Sequence, residues 1–553
     1  MPSPLPNHSA GPLFRCGAAL FAASLLFALA ATRLSTSPAL RVHPNLIGEE
    51  LFTDGAVHDI AVEIAAREVE SLRARPREYV AVTLRSGPVV FQRVALRLKG
   101  SSGSFRAVDD KPALTVDFAR FNAGQRFHGL RRIYLNNSVA DPSTLNEQFG
   151  AELFRAAGVP APRVSHARVR LNGRELGFYV LKEGFTEDFL SGSFRRADGN
   201  LYDNDLGHDV DQVMHRNLGN SAQGDQSDVI ALAEAAREPD LDRRWQRLGG
   251  VLDLDRFVTL MALEVLLVHQ DGYCLARNNF RLYHDPDSDH IVFLPDGMDQ
   301  LLGLANFPWK PHFAGLVAAS VMETPRGQKR YAERFASLLE TVFQVERLTN
   351  RVDQWLTALR PNLSASEFQD LSREAATLKK RRAERHADLR RQLAEPELKL
   401  LEFTNGEARV PAWFKVDEPA GGRLDRARSP DGVASLHFVA GPVTSASWRA
   451  KVLLRRGRYR FVGRGATAGV TPLPFGRFQG AGLRVGGRTR TKAGLVGDAP
   501  WQPLTAEFQV DAATEEVELL CELVAGRGEF WVDLHSLRAV KIGPTPPTRK
   551  DGE

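Results

Sequence analysis

Cysteine is scarce, with three residues among 553. That excludes a disulfide scaffold, and no CxxC pair or Cys/His cluster marks a structural zinc site. Charge of one sign is also lacking. Lys and Arg number 72 against 67 Asp and Glu, a formal net charge of +5, and no basic stripe interleaved with aromatics stands out, which argues against nucleic-acid binding. There is no tandem repeat, so the chain is not a solenoid. The apolar run Cys16–Ala31 is short of the roughly 20 residues a membrane span needs. It follows Arg15 and carries Ala28 and Ala30 as an A-x-A site. Residues 1–32 therefore read as a signal peptide or an N-terminal anchor, which places the protein in the periplasm, cell envelope or extracellular space. Only Cys274 and Cys521 remain beyond it, and a disulfide between them is open.

What is present is ordinary for a globular chain, 43% apolar and 25% charged, and long enough for two to four domains. Residues about 45–140 alternate in strand-like runs such as REYVAVTL and VVFQRVALRLKG. A helix should follow, capped by Asp141, with Pro142 in its first turn and Gly158 and Pro160 at its end. Asn172-Gly173 predicts a tight hairpin. Residues about 186–250 are polar and helical in patches. Asp253 or Asp255 then caps FVTLMALEVLLV, apolar on nearly every side and so expected to be buried. Residues about 320–397 read as helices, ending in LKKRRAERHADLRRQLAE, taken as a solvated helix face. From about 398 to 543 short strands and Gly-rich turns predict an all-β sandwich. Residues 544–553 form a Pro- and charge-rich tail.

The segment VHQDGYCLARNNFRLYHDPDSDHIVFLPDGMDQLLG carries an unusual order: an acid, an amide pair, two strands and a second acid. It follows a buried helix. Phosphoryl transfer calls for such parts, because it needs charge placed around a nucleotide rather than covalent work by the protein. Asp271 can orient or deprotonate an acceptor hydroxyl. Asn279 and Asp299 can hold a metal.

These residues resemble the CotH kinase family, in particular its secreted bacterial members, over about 45–395. The resemblance rests on RLKGSSGSF, DDKPALTVDF, DPSTLNEQFGAELFRAAGVPAPR, LNGRELGFYVLKEGFTEDFL, NNFRLYHDP and FLPDGMDQLLG, in that order. It implies an α+β chain: an atypical protein kinase-like two-lobed fold followed by the all-β sandwich. It further implies ATP with Mg²⁺ or Mn²⁺, and phosphorylation of Ser or Thr on secreted or envelope proteins. By the same resemblance Lys111 grips nucleotide phosphates, Gly100 and Gly103 form the phosphate-side loop, and Glu183 lies near the base. Asp271 is the catalytic acid, and Asn279 and Asp299 are metal ligands. The partner of Lys111 is left between Glu147, favoured by pattern, and Glu152, favoured by helical facing. Two departures stand out. The gap from Asp271 to Asn279 is eight residues rather than about five, which leaves Asn278 in contention. DQLLG also replaces the usual D-F-G.

Singly, each of these residues has a plainer reading. Asp296 reads as a turn residue, and Asp285, Asp287 and Asp289 as a hairpin turn rather than a calcium loop. His269 and Cys274 read as packed side chains. Trp413, Trp448, Trp501 and Trp531 read as core, with polysaccharide stacking as the alternative. Two further functions stay open: a pseudokinase acting as an envelope structural protein, and nucleotidyl transfer on the same fold.

Overall fold

A computed structural model describes residues 46–543, apart from residues 102, 220, 223, 396–397, 411, 476–478 and 489–493. The expected signal segment and C-terminal tail lie outside the described residues. The chain forms two compact units, 1–394 and 395–553. Among the described residues no helix is long and apolar enough to cross a membrane.

The first unit begins with a closed seven-stranded barrel. Its strands are β1 (Val57–Glu63), β2 (Val80–Ser86), β3 (Val89–Lys99), β4 (Ala113–Asp117), β5 (Arg132–Asn136), β6 (Val164–Leu171) and β7 (Arg174–Glu183). They are joined in the order β1-β2-β3-β4-β5-β7-β6, and β1 pairs parallel with β6 to close the ring. Period-two alternation decides the two faces. Leu96, Leu98, Leu114, Val116, Ile133, Leu135 and Leu181 fill the interior. The residues between them, including Arg97, Lys99, Thr115, Tyr134 and Lys182, line a cleft. Asn172 and Gly173 both take left-handed backbone, the two-residue turn their sequence predicts. The helix Ala66–Ala74 lies in the stretch that reads as strands.

The expected helix is Asn146–Ala156. Asp141 does not sit at its first turn. It caps from a preceding turn, its carboxylate accepting the N–H of Asn146 at 2.9 Å and that of Ser143 at 3.1 Å. Gly158 ends the helix at φ 88°, with the Val159 N–H returning to Phe154 O.

Residues 187–394 hold further helices around a four-stranded sheet, order β11-β10-β8-β9: β8 (Asn200–Asp203), β9 (His215–Leu218), β10 (Phe280–Asp285) and β11 (His290–Pro295). β8 and β9, four residues each, lie in the stretch that reads as helical patches. The buried helix is Leu254–Leu266, capped by Asp253, which accepts the Arg256 N–H at 3.1 Å. The charged C-terminal helix Ala365–Ala394 has the expected solvated face, with Lys380, Arg381, Glu384, Arg390 and Arg391 exposed, but the same run also buries Arg382, Arg385 and Asp388. Arg385 is fully buried and donates to the carbonyls of Val265, Leu266 and Ala305. Val265 and Leu266 lie in the last turn of the buried helix, where carbonyls lack intrahelical donors, and one guanidinium serves them together with Ala305.

The second unit is all-β as described: one connected sheet in the order β12-β20-β16-β19-β15-β14, with β13 on β16 and β17 on β18. Its strands are β12 (Glu407–Arg409), β13 (Phe414–Val416), β14 (Arg423–Arg428), β15 (Ala434–Val439), β16 (Thr444–Thr471), β17 (Gly480–Val485), β18 (Gly497–Ala525), β19 (Arg527–Asp533) and β20 (Arg538–Lys541). The long strands β16 and β18 pair through register shifts at Arg455/Gly457 and Gly465/Thr467. Bulges of this kind bend strands, and both halves of β16 contribute to one apolar core. Trp413 and Trp448 sit in that core, whereas Trp501 and Trp531 are partly exposed. Cys274 and Cys521 are buried and free, so no disulfide joins them.

Candidate active site

A cleft of about 1040 Å³ in the first unit is lined by the barrel's outer face, by the start of the helix Asn146–Ala156 and by the loops around β10 and β11. Gly100, Gly103, Glu147, Asp271, Asn278, Asn279 and Asp299 all line it. Lys111, Glu152 and Glu183 do not.

Asp271 stands just past the buried helix, exposed to solvent. The extra residues between it and Asn279 form a single helical turn, Tyr273–Ala276. Glu264, inside the buried helix, holds that turn by accepting the N–H groups of Tyr273 at 3.1 Å and Cys274 at 2.8 Å. Arg277 and Asn279 then take left-handed backbone, which returns Asn279 to Asp271. The Asn279 amide donates to the Asp271 carboxylate at 2.9 Å. The longer spacing is thus absorbed, and Asn279 rather than Asn278 contacts Asp271. Gly297 is required beside them: a Cβ there would lie 2.5 Å from the Asn279 carboxamide.

Asp299 is held through its backbone. The Asn146 side chain donates to its carbonyl at 2.9 Å, and the neighbouring Met298 N–H donates to Glu147 at 2.7 Å. Burial, and then the charge of Glu147, pushes the Asp299 carboxyl up to about 6. No ion pair joins it to a cation among the described residues. A half-buried carboxylate without a cation of its own, lining the same cleft as an amide oxygen, suits a hard divalent ion with oxygen ligands. The residues present therefore fit Mg²⁺ or Mn²⁺ at Asp299 and Asn279.

The charged centre of the cleft differs from the expected one. Lys182 on β7, fully enclosed, pairs with Glu147 at 3.1 Å and with Asp296. Asp296 also takes Arg281 at 3.0 Å, and Arg281 takes Asp203 at 2.5 Å. Burial works against the Lys182 charge, but Asp296 and then Glu147 outweigh it and raise the amine's pKa. Asp296 is correspondingly lowered despite burial, by Lys182, Arg281 and Lys99. The turn reading of Asp296 is corrected. Gly297 does take a turn conformation, but the preceding carboxylate points inward. His269, buried as expected, bonds the Asp296 carbonyl through Nε2 at 3.1 Å and so ties the Asp271 loop to this segment.

Lys111 sits elsewhere: its amine donates to Phe178 O at 3.0 Å and lies over the Tyr179 ring. The cleft's lysines are Lys182 and Lys99. Lys99 donates to Asn136 at 2.7 Å, and burial followed by the nearby Lys182 charge lowers it to about 8. Glu183 is on the opposite face of β7 from Lys182, as alternation requires, and pairs with Arg163. Glu152 pairs with Arg351 at 2.8 Å on the other side of its helix. Helical facing pointed to Glu152 because it assumed one buried face. Asn146, Glu147 and Gln148 are all buried as well, so the polar side is also enclosed. Sequence signals for Lys182 and Asp296 did exist: a lysine inside the apolar strand run GFYVLK, and an acid directly after IVFLP. Asp285, Asp287 and Asp289 lie at the β10–β11 turn, and among the described residues no group of His, Cys, Asp and Glu is set to hold a metal.

The chain matches the family described as CotH kinase protein over residues 96–392. It is 22% identical to the inner spore coat protein H of Bacillus subtilis over 44% of this chain and 71% of that protein. It is 24% identical to the invasin CotH2 of Rhizopus delemar over 41% of this chain and 44% of that one. The chain thus spans less than half of the fungal relative. A carbohydrate-binding module solved with β-1,4-galactotriose covers 24% of this chain and 91% of its own at 16% identity. Its TM-score of 0.18 is too low to carry an argument. With the family's match extending over more than half its length, the chain belongs to the CotH kinase protein family.

Proposed function

We propose that this chain is an exported atypical kinase. It transfers the γ-phosphate of ATP to Ser or Thr hydroxyls of secreted or envelope proteins. The observation that carries the reading is the meeting of Asp271, Asn279 and Asp299 in the cleft that also holds the Gly100–Gly103 loop and the Lys182–Glu147 pair. The β-rich 57–183 and helix-rich 187–394 portions are read as the two lobes of a kinase-like fold. Asp271 is exposed and can receive an acceptor hydroxyl. As the bond from the γ-phosphorus to ADP breaks and the bond to the acceptor oxygen forms, the hydroxyl proton passes to Asp271, and ADP leaves. Asp299 and Asn279 would hold Mg²⁺ or Mn²⁺, which would supply positive charge to the phosphates. Lys99, rather than Lys111, meets a phosphate from the barrel side. Lys182 stays engaged by two carboxylates and holds the site's frame. The apolar run 16–31 supports export.

The test is incubation of the full chain with γ-labelled and, separately, α-labelled ATP, Mn²⁺ and a generic protein acceptor. Transfer of γ-label that disappears in Asp271→Ala and Asp299→Ala is expected. Transfer of α-label would replace the reading with nucleotidyl transfer. No transfer and no nucleotide-induced thermal shift would leave a pseudokinase scaffold. For the second unit we propose polysaccharide binding. The support is that Trp501 and Trp531 stand outside the apolar core, with the Arg464 guanidinium 5.7 Å from the Trp501 ring and Arg464 paired with Asp533.

A further inference from the structure

The barrel face of the cleft carries two groups of cations that differ in what engages them. Cross-strand register puts Arg97, Thr115, Tyr134 and Lys182 in one row over β3, β4, β5 and β7. Arg97 is therefore three strand spacings from Lys182, roughly 14 Å. No single phosphoryl group spans that distance, and Lys99, two residues along β3 from Arg97, has its amine taken by Asn136 on β5. The inner group, Lys182, Lys99 and Arg281, is engaged by Glu147, Asp296, Asp203 and Asn136.

The outer group is not engaged. Arg97 and Arg120 place their guanidinium carbons 4.9 and 4.4 Å from the ring centre of Tyr79. Neither makes a hydrogen bond or ion pair with any described residue, and Arg97 Nε is buried without a partner. The nearby acids are committed elsewhere. Glu78 pairs with Arg75 at 3.1 Å, and Asp117 is taken by Arg132 at 2.7 Å. Tyr79 holds both arginines in place by cation–π contact, so little side-chain entropy remains to be lost when an anion arrives. The same cleft exposes apolar side chains, Phe121, Val139 and Leu206, the last 63% exposed. A free inorganic ion would have no use for them, but a polypeptide would.

From this geometry we infer that the Tyr79–Arg97–Arg120 cluster is the docking site for the acceptor, and that the acceptor is an acidic polypeptide segment, carrying Asp, Glu or phosphoserine beside its hydroxyl residue. Two guanidiniums without carboxylates complement such a chain, while the apolar rim takes its neighbouring side chains. The inference rests on the kinase reading in calling the occupant an acceptor and in leaving Lys99 to the nucleotide.

The experiment is fluorescence anisotropy of the full chain, without nucleotide, against three labelled peptides of equal length: a Glu/Ser peptide, its Gln/Ser counterpart and a Lys/Ser counterpart. Preferential binding of the Glu/Ser peptide, weakening with salt, is expected. The double variant Arg97→Gln, Arg120→Gln should lose at least about tenfold in affinity for it. Arg97→Lys, Arg120→Lys should retain most of the binding, which separates loss of charge from loss of fold. Equal binding of all three peptides, preference for the Lys/Ser peptide, or an unchanged double variant would overturn the inference. A parallel thermal shift with ATP and Mn²⁺ should be the same in both variants and wild type. If it collapses in the Gln variant, the outer arginines belong to the nucleotide instead. If wild type shows no shift at all, the nucleotide reading fails while the peptide result stands on its own.

Discussion

In the first unit ionised side chains go inside. Lys182 and Glu147 are 1% and 2% exposed, with Asp296 beside them, and Arg385 is fully enclosed. In the second unit at least one partner of each described pair stays in contact with solvent. Lys451–Glu516 is open to solvent, and Arg484, though paired with a buried Glu522, stays a quarter exposed. Its core is apolar, built from residues such as Trp448, Phe461, Leu519 and Phe530. Removing charges from water costs several kcal/mol per ion, and apolar packing of similar volume would be cheaper. The first unit therefore gives up stability to hold fixed charge beside a cleft. The second unit has the design of a chain selected for packing, with any ligand confined to its surface.

The largest effect expected from this contrast is at Lys182. Lys182→Met strands Glu147 as a buried carboxylate and leaves Asp296 to Arg281 alone, and should cost about 3–5 kcal/mol, read as a shift of the denaturation midpoint. Adding Glu147→Gln should recover part of the loss, because the stranded charge is then removed. Lys451→Met in the second unit should cost under about 1 kcal/mol. Equal costs at the two sites would break the comparison.

Lys182 also marks where the sequence ceased to be readable. The spacing of Asp271, Asn279 and Asp299, the buried helix and the Asn172-Gly173 hairpin were legible because each depends on local chemistry: a cap, a turn, a period. Lys99 and Lys182 were not, because which lysine faces the cleft depends on how seven strands close into a ring, and Lys111 looked equivalent in one dimension. Glu147 over Glu152 was decided by tertiary enclosure of a second helix face. Arg385 looked like one more charge in a solvated run, since its carbonyl partners lie about 80 to 120 residues away in sequence.

A smaller effect, which sharpens the contrast, is in pH. Lys99 falls from the ordinary lysine value of 10.5 to about 8 on folding, through burial and then Lys182. Between those values the unfolded chain holds the proton and the native chain does not, so this group makes the protein more stable as pH rises from about 8 to 10.5. Phosphate affinity should run the other way. It should hold below about pH 8 and fall above it, as the amine loses its charge. Nucleotide titrations across pH 7–9.5 should show that decline, and Lys99→Arg should flatten it, because arginine stays charged. A decline of the same size in Lys99→Arg would place the titrating group elsewhere.

The smallest expected effect on stability is on the face of the second unit. Trp531 stacks parallel to His437, ring centres 5.1 Å apart, and His437 sits between Asp425 at 2.8 Å and Glu529 at 2.9 Å. A partly exposed indole beside two carboxylates has the parts of a sugar platform: an apolar face for the ring's C–H groups and acceptors for its hydroxyls. The same indole could simply cover the histidine. Trp531→Ala removes no core contact of the kind Trp448 makes, so it should cost under about 1 kcal/mol. Retention of the full chain on insoluble cellulose, xylan and peptidoglycan decides between the two roles. If wild type is retained on one of them and Trp531→Ala is not, at unchanged stability, the surface carries a ligand as the first unit's cleft does. If wild type is retained on none, and Trp531→Ala costs as much as a core tryptophan, then the exposed face is packing too, and the contrast between the units lies in charge alone.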